Sequence, residues 1–255
     1  MDTLSKQHVH CMDQRIQLDE ETHSYTIDHD KEYISVTRWI HTHFKGFDAD
    51  AVIDKMMIGR NWTTSKYFGQ TREHIKLGWD RNRDDAANAG NKLHYDIECY
   101  YNGKTVNNTS SEYKQFILFV KNNQLKPYRT EWTVFDPEIK LAGTIDMTYI
   151  LPNGHLMIYD WKRTKHLASL IHPTFCSDCA ITECIQHLPN TKYTHYALQL
   201  NIYKAILERN YNVVVEKLCL VCFHPDQYTY EVIEVADLKE EIDRLFEERK
   251  QSIVV

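Results

Sequence analysis

The sequence predicts an α/β chain in which a helical N-terminal region precedes a strand-rich core, with one closing helix. Three features carry this. Before about residue 127 the apolar residues recur with helical spacing. After it they alternate in short strand-like runs, and those runs are interrupted by one long helical segment, residues 191–209. The 255 residues include 42% apolar residues and eight dispersed glycines, with no Gly/Ser linker or repeat, so a single domain is expected. Within it, residues 1–126 carry the hairpin and helices, 127–235 the core and 236–255 the last helix.

The formal charge of −6 argues against a protein coated in positive potential, and any nucleic-acid contact must come from local patches. The seven cysteines are an odd number, and the opening MDTLSKQHVH has neither a charged-then-apolar leader nor a transit pattern. With no apolar run of membrane-spanning length, the expectation is a reduced, soluble, intracellular protein without a membrane partner.

Taken in order, IQLDEETHSYTIDHDKEYISVT reads as a short hairpin around a polar turn at Asp28–Asp30. A helix follows over about 37–44, started by Ser35 or Thr37. Asp48 or Asp50 opens the next, Thr71 another, and a longer one spans about Asp84–Tyr101 before Asn102-Gly103 stops it. Ser110 or Ser111 caps SEYKQFILFVKNN. Then come three antiparallel strands (YRTEWTVFD, IKLAGTIDMTYIL and HLMIYDWK), an irregular stretch over 166–190, the helix of 191–209, one or two strands in 212–235, and the charged amphipathic helix DLKEEIDRLFEERK.

The chemistry concentrates in residues 143–165, GTIDMTYILPNGHLMIYDWKRTK. Taking Pro152-Asn153-Gly154 as a three-residue loop pairs Leu151 with His155 and brings Asp146 opposite Asp160. Alternation places Thr144, Asp146, Thr148 and Ile150 on one face with Leu156, Ile158, Asp160 and Lys162. Two carboxylates facing each other among apolar neighbours are costly, and one lysine does not easily neutralise both. A hard divalent cation does. A solvated cross-strand charge cluster is the competing reading.

The pattern G-T-I-D followed by I-Y-D-W-K resembles the core signature of the PD-(D/E)XK nuclease superfamily. Upstream, Gly90-x-x-x-His94 with Glu98 at i+4 looks like the first motif of its RecB-like branch, and Gln199-x-x-x-Tyr203 is similar to the motif that follows the D-x-K strand there. With Glu131 on the preceding strand, the motifs run in family order across about residues 85–235. CRISPR-associated exonucleases and the mitochondrial genome maintenance exonuclease are the relatives most similar in pattern, and the N-terminal hairpin resembles viral and phage members.

The resemblance implies a restriction-endonuclease-like core, a central mixed sheet flanked by helices with an N-terminal helical attachment. It also implies a Mg²⁺- or Mn²⁺-dependent deoxyribonuclease. By the same resemblance Asp146, Asp160, His94 and the Trp161 carbonyl hold the metal, and Lys162 orients the attacking water and offsets phosphate charge. Glu98 and Glu131 support the site, while Gln199 and Tyr203 contact substrate or brace it. The expected partner is DNA, single-stranded or with free ends, with roles in repair and recombination. Arg163, Lys165 and His166 are candidate phosphate contacts, as are Arg60, Lys66, Arg72 and Lys76, interleaved with Trp62, Tyr67 and Trp79 for base stacking. A structure-specific or RNA-directed endonuclease, or a catalytically idle nucleic-acid-binding relative, are the alternatives.

Cys176, Cys179, Cys184 and His187 form C-x2-C-x4-C-x2-H. Zinc in a compact knuckle is one reading, and free thiols in a surface insertion the plainer one. The layout of relatives that carry an iron–sulfur cluster is missing.

Overall fold

The computed structural model describes residues 2–171 and 178–253. In chain order its elements are α1 (Leu4–Gln7), β1 (Ile16–Asp19), β2 (Ser24–Ile27), β3 (Ile34–Ser35), α2 (Val36–Thr42), α3 (Ala49–Met57), α4 (Arg72–Tyr101), α5 (Ser111–Asn123), β4 (Pro127–Asp136), β5 (Leu141–Ile150), β6 (Leu156–Arg163), α6 (Lys192–Asn210), β7 (Val215–Phe223), β8 (Glu231–Glu234) and α7 (Lys239–Ile253). No helix among the described residues is long and apolar enough to cross a membrane.

Two compact units emerge. Met1–Lys45 with Leu93–Val255 form one and Gly46–Lys92 the other. The larger unit is built on a mixed sheet of order β3-β5-β6-β7-β8, with β4 also paired to β5. Its β4–β5, β5–β6 and β7–β8 pairs are antiparallel, whereas β3 joins β5 and β7 joins β6 in parallel. The parallel step from β6 to β7 is what α6 spans, since such strands need a crossover rather than a tight turn. Helices cover the sheet through two apolar layers. One gathers Ile158 and Leu220 with Trp39, Ile202 and Phe246. The other packs Met147, Tyr159, Trp161 and Phe223 against Leu93, Ile97, Phe116 and Phe119. In the smaller unit Asp48 caps α3 by accepting from Ala51 N at 3.0 Å, and Arg72 and Lys76 pair with Asp54 and Asp50.

Local signals set most boundaries. Ser35 and Ser110 accept from the backbone N–H of Arg38 and Tyr113, each at 3.2 Å, and so open α2 and α5. α4 ends at Asn102-Gly103, where Gly103 has φ +70° and Lys104 N donates to Cys99 O at 2.9 Å. Two expectations need correction. The first hairpin turns at residues 20–23 rather than at Asp28–Asp30, because Asp19 Oδ1 accepts from both Glu21 N and Thr22 N and folds the chain there. Asp28 and His29, both at positive φ, make a separate tight turn after β2, with Ile27 and Asp30 exchanging backbone bonds. The second concerns the helices after Thr71 and at Asp84–Tyr101, which are one continuous α4 that runs through Gly78 with no proline to stop it.

Candidate active site

The hairpin turn is as the loop count requires. Leu151 N donates to His155 O and Gly154 N to Leu151 O, both at 2.9 Å, and Ile150 pairs with Leu156. The β5–β6 ladder continues to Met147–Tyr159 and stops one step short of Asp146 and Asp160. There the strands part: β5 stays with β4, and β6 with β7. The Trp161 amide, which has lost its strand partner, donates instead to Asp146 Oδ2 at 2.9 Å. The aspartates are neighbours in register, but an opened sheet edge lies between them. Simple alternation also fails there. Gly143 lies under Tyr203 of α6, Met147 joins the opposite layer, and the Thr144 hydroxyl sits 3.1 Å from that of Tyr25 in β2.

His94 reaches this gap from α4. Its Nε2 is 2.8 Å from the Trp161 carbonyl and its Nδ1 3.4 Å from Asp146 Oδ2. A carbonyl only accepts, so Nε2 donates to it, and Nδ1 is the ring nitrogen turned to the carboxylates. Glu131 comes from β4, midway between the Thr130–Met147 and Trp132–Ile145 pairs, with φ +45°. A left-handed glutamate inside a strand is strained. Burial, then the carboxylates of Asp146, Glu98, Asp160 and Glu20, push its carboxyl up to about 9. Ligand atoms of His94, Glu131 and Asp146 all lie within 4.8 Å of one another.

Behind this triad, Asp160 is 1% exposed, and its carboxyl is raised to about 6 by burial and by Asp146, with Lys162 opposing. Lys162 Nζ lies 2.5 Å from Asp160 Oδ2, off the line of a well-formed hydrogen bond. Burial works to neutralise this lysine, but Asp160 and Asp146 outweigh it and hold the ammonium well above the usual lysine range. Gln199 Oε1 accepts from Lys162 at 3.5 Å, and Gln199 Nε2 donates to the Tyr203 hydroxyl at 3.3 Å. The Tyr196 ring stands 4.4 Å from Lys162 Nζ. Sequence reading missed Tyr196, although its signal was present: positions 196, 199 and 203 share one helix face.

Of the residues expected at the site, His94, Glu131, Asp146, Asp160, Lys162, Gln199 and Tyr203 come together. Glu98 lies one turn along α4 from His94, close enough to raise the Glu131 carboxyl. The Trp161 carbonyl is already engaged by His94. Arg163 and Lys165 pair with Glu112 and Asp226, at 2.8 and 2.5 Å, and His166 is an exposed residue with φ +58°. Within the smaller unit, Lys66 sits over the Tyr67 ring and Trp79 Nε1 donates to the Tyr67 hydroxyl. Cys176 lies outside the described residues. Cys184 is half-buried and its thiol is pushed up to about 11 by burial and the neighbouring Glu248, and His187 pairs with Glu241 at 3.2 Å. Among the described residues, the group of His, Cys, Asp and Glu side chains close enough to share a metal is His94, Glu131 and Asp146.

That donor set fits a divalent cation. It offers one imidazole lone pair and hard carboxylate oxygens, in a neighbourhood of four or more acidic groups balanced by Lys162.

No family model matches the chain, and no curated protein does. Two solved structures are similar in overall arrangement. The protein SSO0001 has a TM-score of 0.39 and 15% identity, over 88% of this chain and 77% of that one. An alkaline exonuclease from Laribacter hongkongensis has a TM-score of 0.35 and 11% identity, over 85% and 90%. At such scores neither likeness bears on the chemistry.

Proposed function

We propose that the chain is a metal-dependent nuclease that hydrolyses phosphodiester bonds in DNA, acting on ends or single strands. The observation that carries this is the His94–Glu131–Asp146 cluster set beside the pair of buried Asp160 and half-buried Lys162. The order of the sequence motifs supports it. His94 Nδ1, Glu131 and Asp146 would hold the cation, with Mg²⁺ or Mn²⁺ suited to the donors, while Asp160 pairs with Lys162. Such a cation, when bound, supplies Lewis acidity at a phosphoryl oxygen and lowers the pKa of water. The Lys162 ammonium, fixed by Asp160, Gln199 and Tyr196, offsets the charge that builds on the phosphate oxygens. Held protonated, it positions water and does not take up its proton. The Trp161 amide and carbonyl fix Asp146 and the His94 ring, so the donors are pre-aimed.

End-labelled single-stranded and duplex DNA, circular DNA and RNA, each with Mg²⁺, Mn²⁺ or EDTA, test this. Metal-dependent loss of linear DNA with circles intact is expected, and Lys162→Ala should lose at least about a hundredfold in rate. Failure to cut any of the substrates in either metal would sink the proposal. Cutting of circles would turn it toward an endonuclease.

A further inference from the structure

A cavity of about 250 Å³ is lined on one side by Thr37, Ile40 and His41 of α2 and on the other by His195, Tyr196 and Gln199 of α6. Tyr196 and Gln199 are also the side chains that hold the Lys162 ammonium, so the cavity and the candidate active site share a wall.

Its lining decides what it can hold. The His41 and His195 rings stand edge to face with centroids 5.3 Å apart, and His195 Nε2 is turned to Asn190 Oδ1 at 3.0 Å. Burial, then the proximity of His41, pushes His195 down to about 4, so it is uncharged at neutral pH. No carboxylate lines the space, and the exposed Lys192 supplies its cation. A phosphate pocket would gather several cations or backbone donors. This cavity instead gathers the His41, His195 and Tyr196 rings and an isoleucine, with Phe44 packed on the His195 ring at 4.3 Å between centroids, a mostly apolar lining suited to a small heterocycle. We propose that it receives an unpaired nucleobase from the nucleotide beside the scissile phosphate, stacked on the imidazole and tyrosine rings, with Lys192 meeting that strand's backbone. The position of the base relative to the cut rests on the nuclease function proposed above; the stacking does not.

Two measurements test it with the whole protein. In the first, an oligodeoxythymidylate carrying a single 2-aminopurine at successive positions is titrated in EDTA, so that no cleavage is involved. Quenching at one position is expected in the wild type. Thr37→Trp fills the cavity from an exposed site and should abolish that quenching, weakening binding about 5- to 150-fold, as expected for one base–aromatic stack. In the second, the same strand carries one abasic residue in Mg²⁺. The KM of the step that brings the abasic site to the cavity should rise by a similar factor with little change in kcat, and Thr37→Trp should erase the difference. Position-independent fluorescence, or a requirement for a terminal phosphate rather than a base, overturns the proposal. Equal cleavage of intact and abasic strands overturns it while leaving the nuclease standing. If the intact strand is not cut, the nuclease function falls, and the quenching alone decides whether a base enters the cavity.

Discussion

Glu131 bears two costs at once. Its backbone sits in the left-handed region inside a strand, worth on the order of 1–3 kcal/mol, and its carboxyl is buried among other carboxylates. Raised to about 9, the carboxyl must take up a proton on folding at neutral pH, and a side chain that does not titrate would spare that cost. Ligand atoms of His94 and Asp146 lie within 4.8 Å of its own, and a cation bound there is the gain that would offset both costs. Glu131→Gln should therefore raise the stability of the metal-free protein by about 0.5–2 kcal/mol, read from urea unfolding. It should also weaken Mn²⁺ binding by at least about tenfold in a calorimetric titration, because the loss of even a supporting group around a metal has that effect. Unchanged Mn²⁺ affinity would remove Glu131 from the site.

At the scale of elements, the glycine of the hairpin's first strand is explained by a helix far along the chain. A Cβ on Gly143 would meet Tyr203 Cε1 at 2.6 Å and Oη at 2.8 Å, so α6 can lie this close to β5 because that position has no side chain. Gly143→Ala should cost about 1–3 kcal/mol by overpacking, and much less in a Tyr203→Leu background, where the ring is absent. Equal costs in the two backgrounds would show that the contact does not hold the helix. The same elements show what could be read in advance. Caps at Ser35, Asp48 and Ser110 and the Pro152-Asn153-Gly154 loop are encoded within a few neighbouring residues, and they were legible. So were Asp146 and Asp160 as register neighbours, because the turn fixes the count. The parallel pairings of β3 with β5 and β7 with β6 were not legible. β6 and β7 are buried on both faces and lose the alternation that marks a strand's sides, while β3 is only two half-buried residues, too short to show any. Nor was the opening of the ladder at Asp146, or the left-handed Glu131 that faces it. Both violate local preference, which is why neighbouring residues in the sequence do not announce them.

Across the whole molecule the formal charge is −6, and several of its carboxyl groups gather at one spot beside Lys162, where crowding raises Glu131 to about 9 and Asp160 to about 6. The folded chain gathers these carboxylates and the unfolded chain disperses them, so a divalent cation that binds the cluster favours the folded state. At a free concentration ten times its dissociation constant the gain is about 1.4 kcal/mol, or roughly 3–6 °C in Tm for a chain of this size. General screening by salt would also relieve repulsion, so the comparison must be made at matched ionic strength. MgCl₂ should raise Tm saturably above an NaCl control, and EDTA should reverse the rise. Asp146→Asn should abolish the difference, because Asp146 both offers a ligand oxygen and receives the Trp161 amide that fixes it. A rise matched by NaCl, or one that survives in Asp146→Asn, would mean that the cluster is a charge defect of the fold and holds no metal.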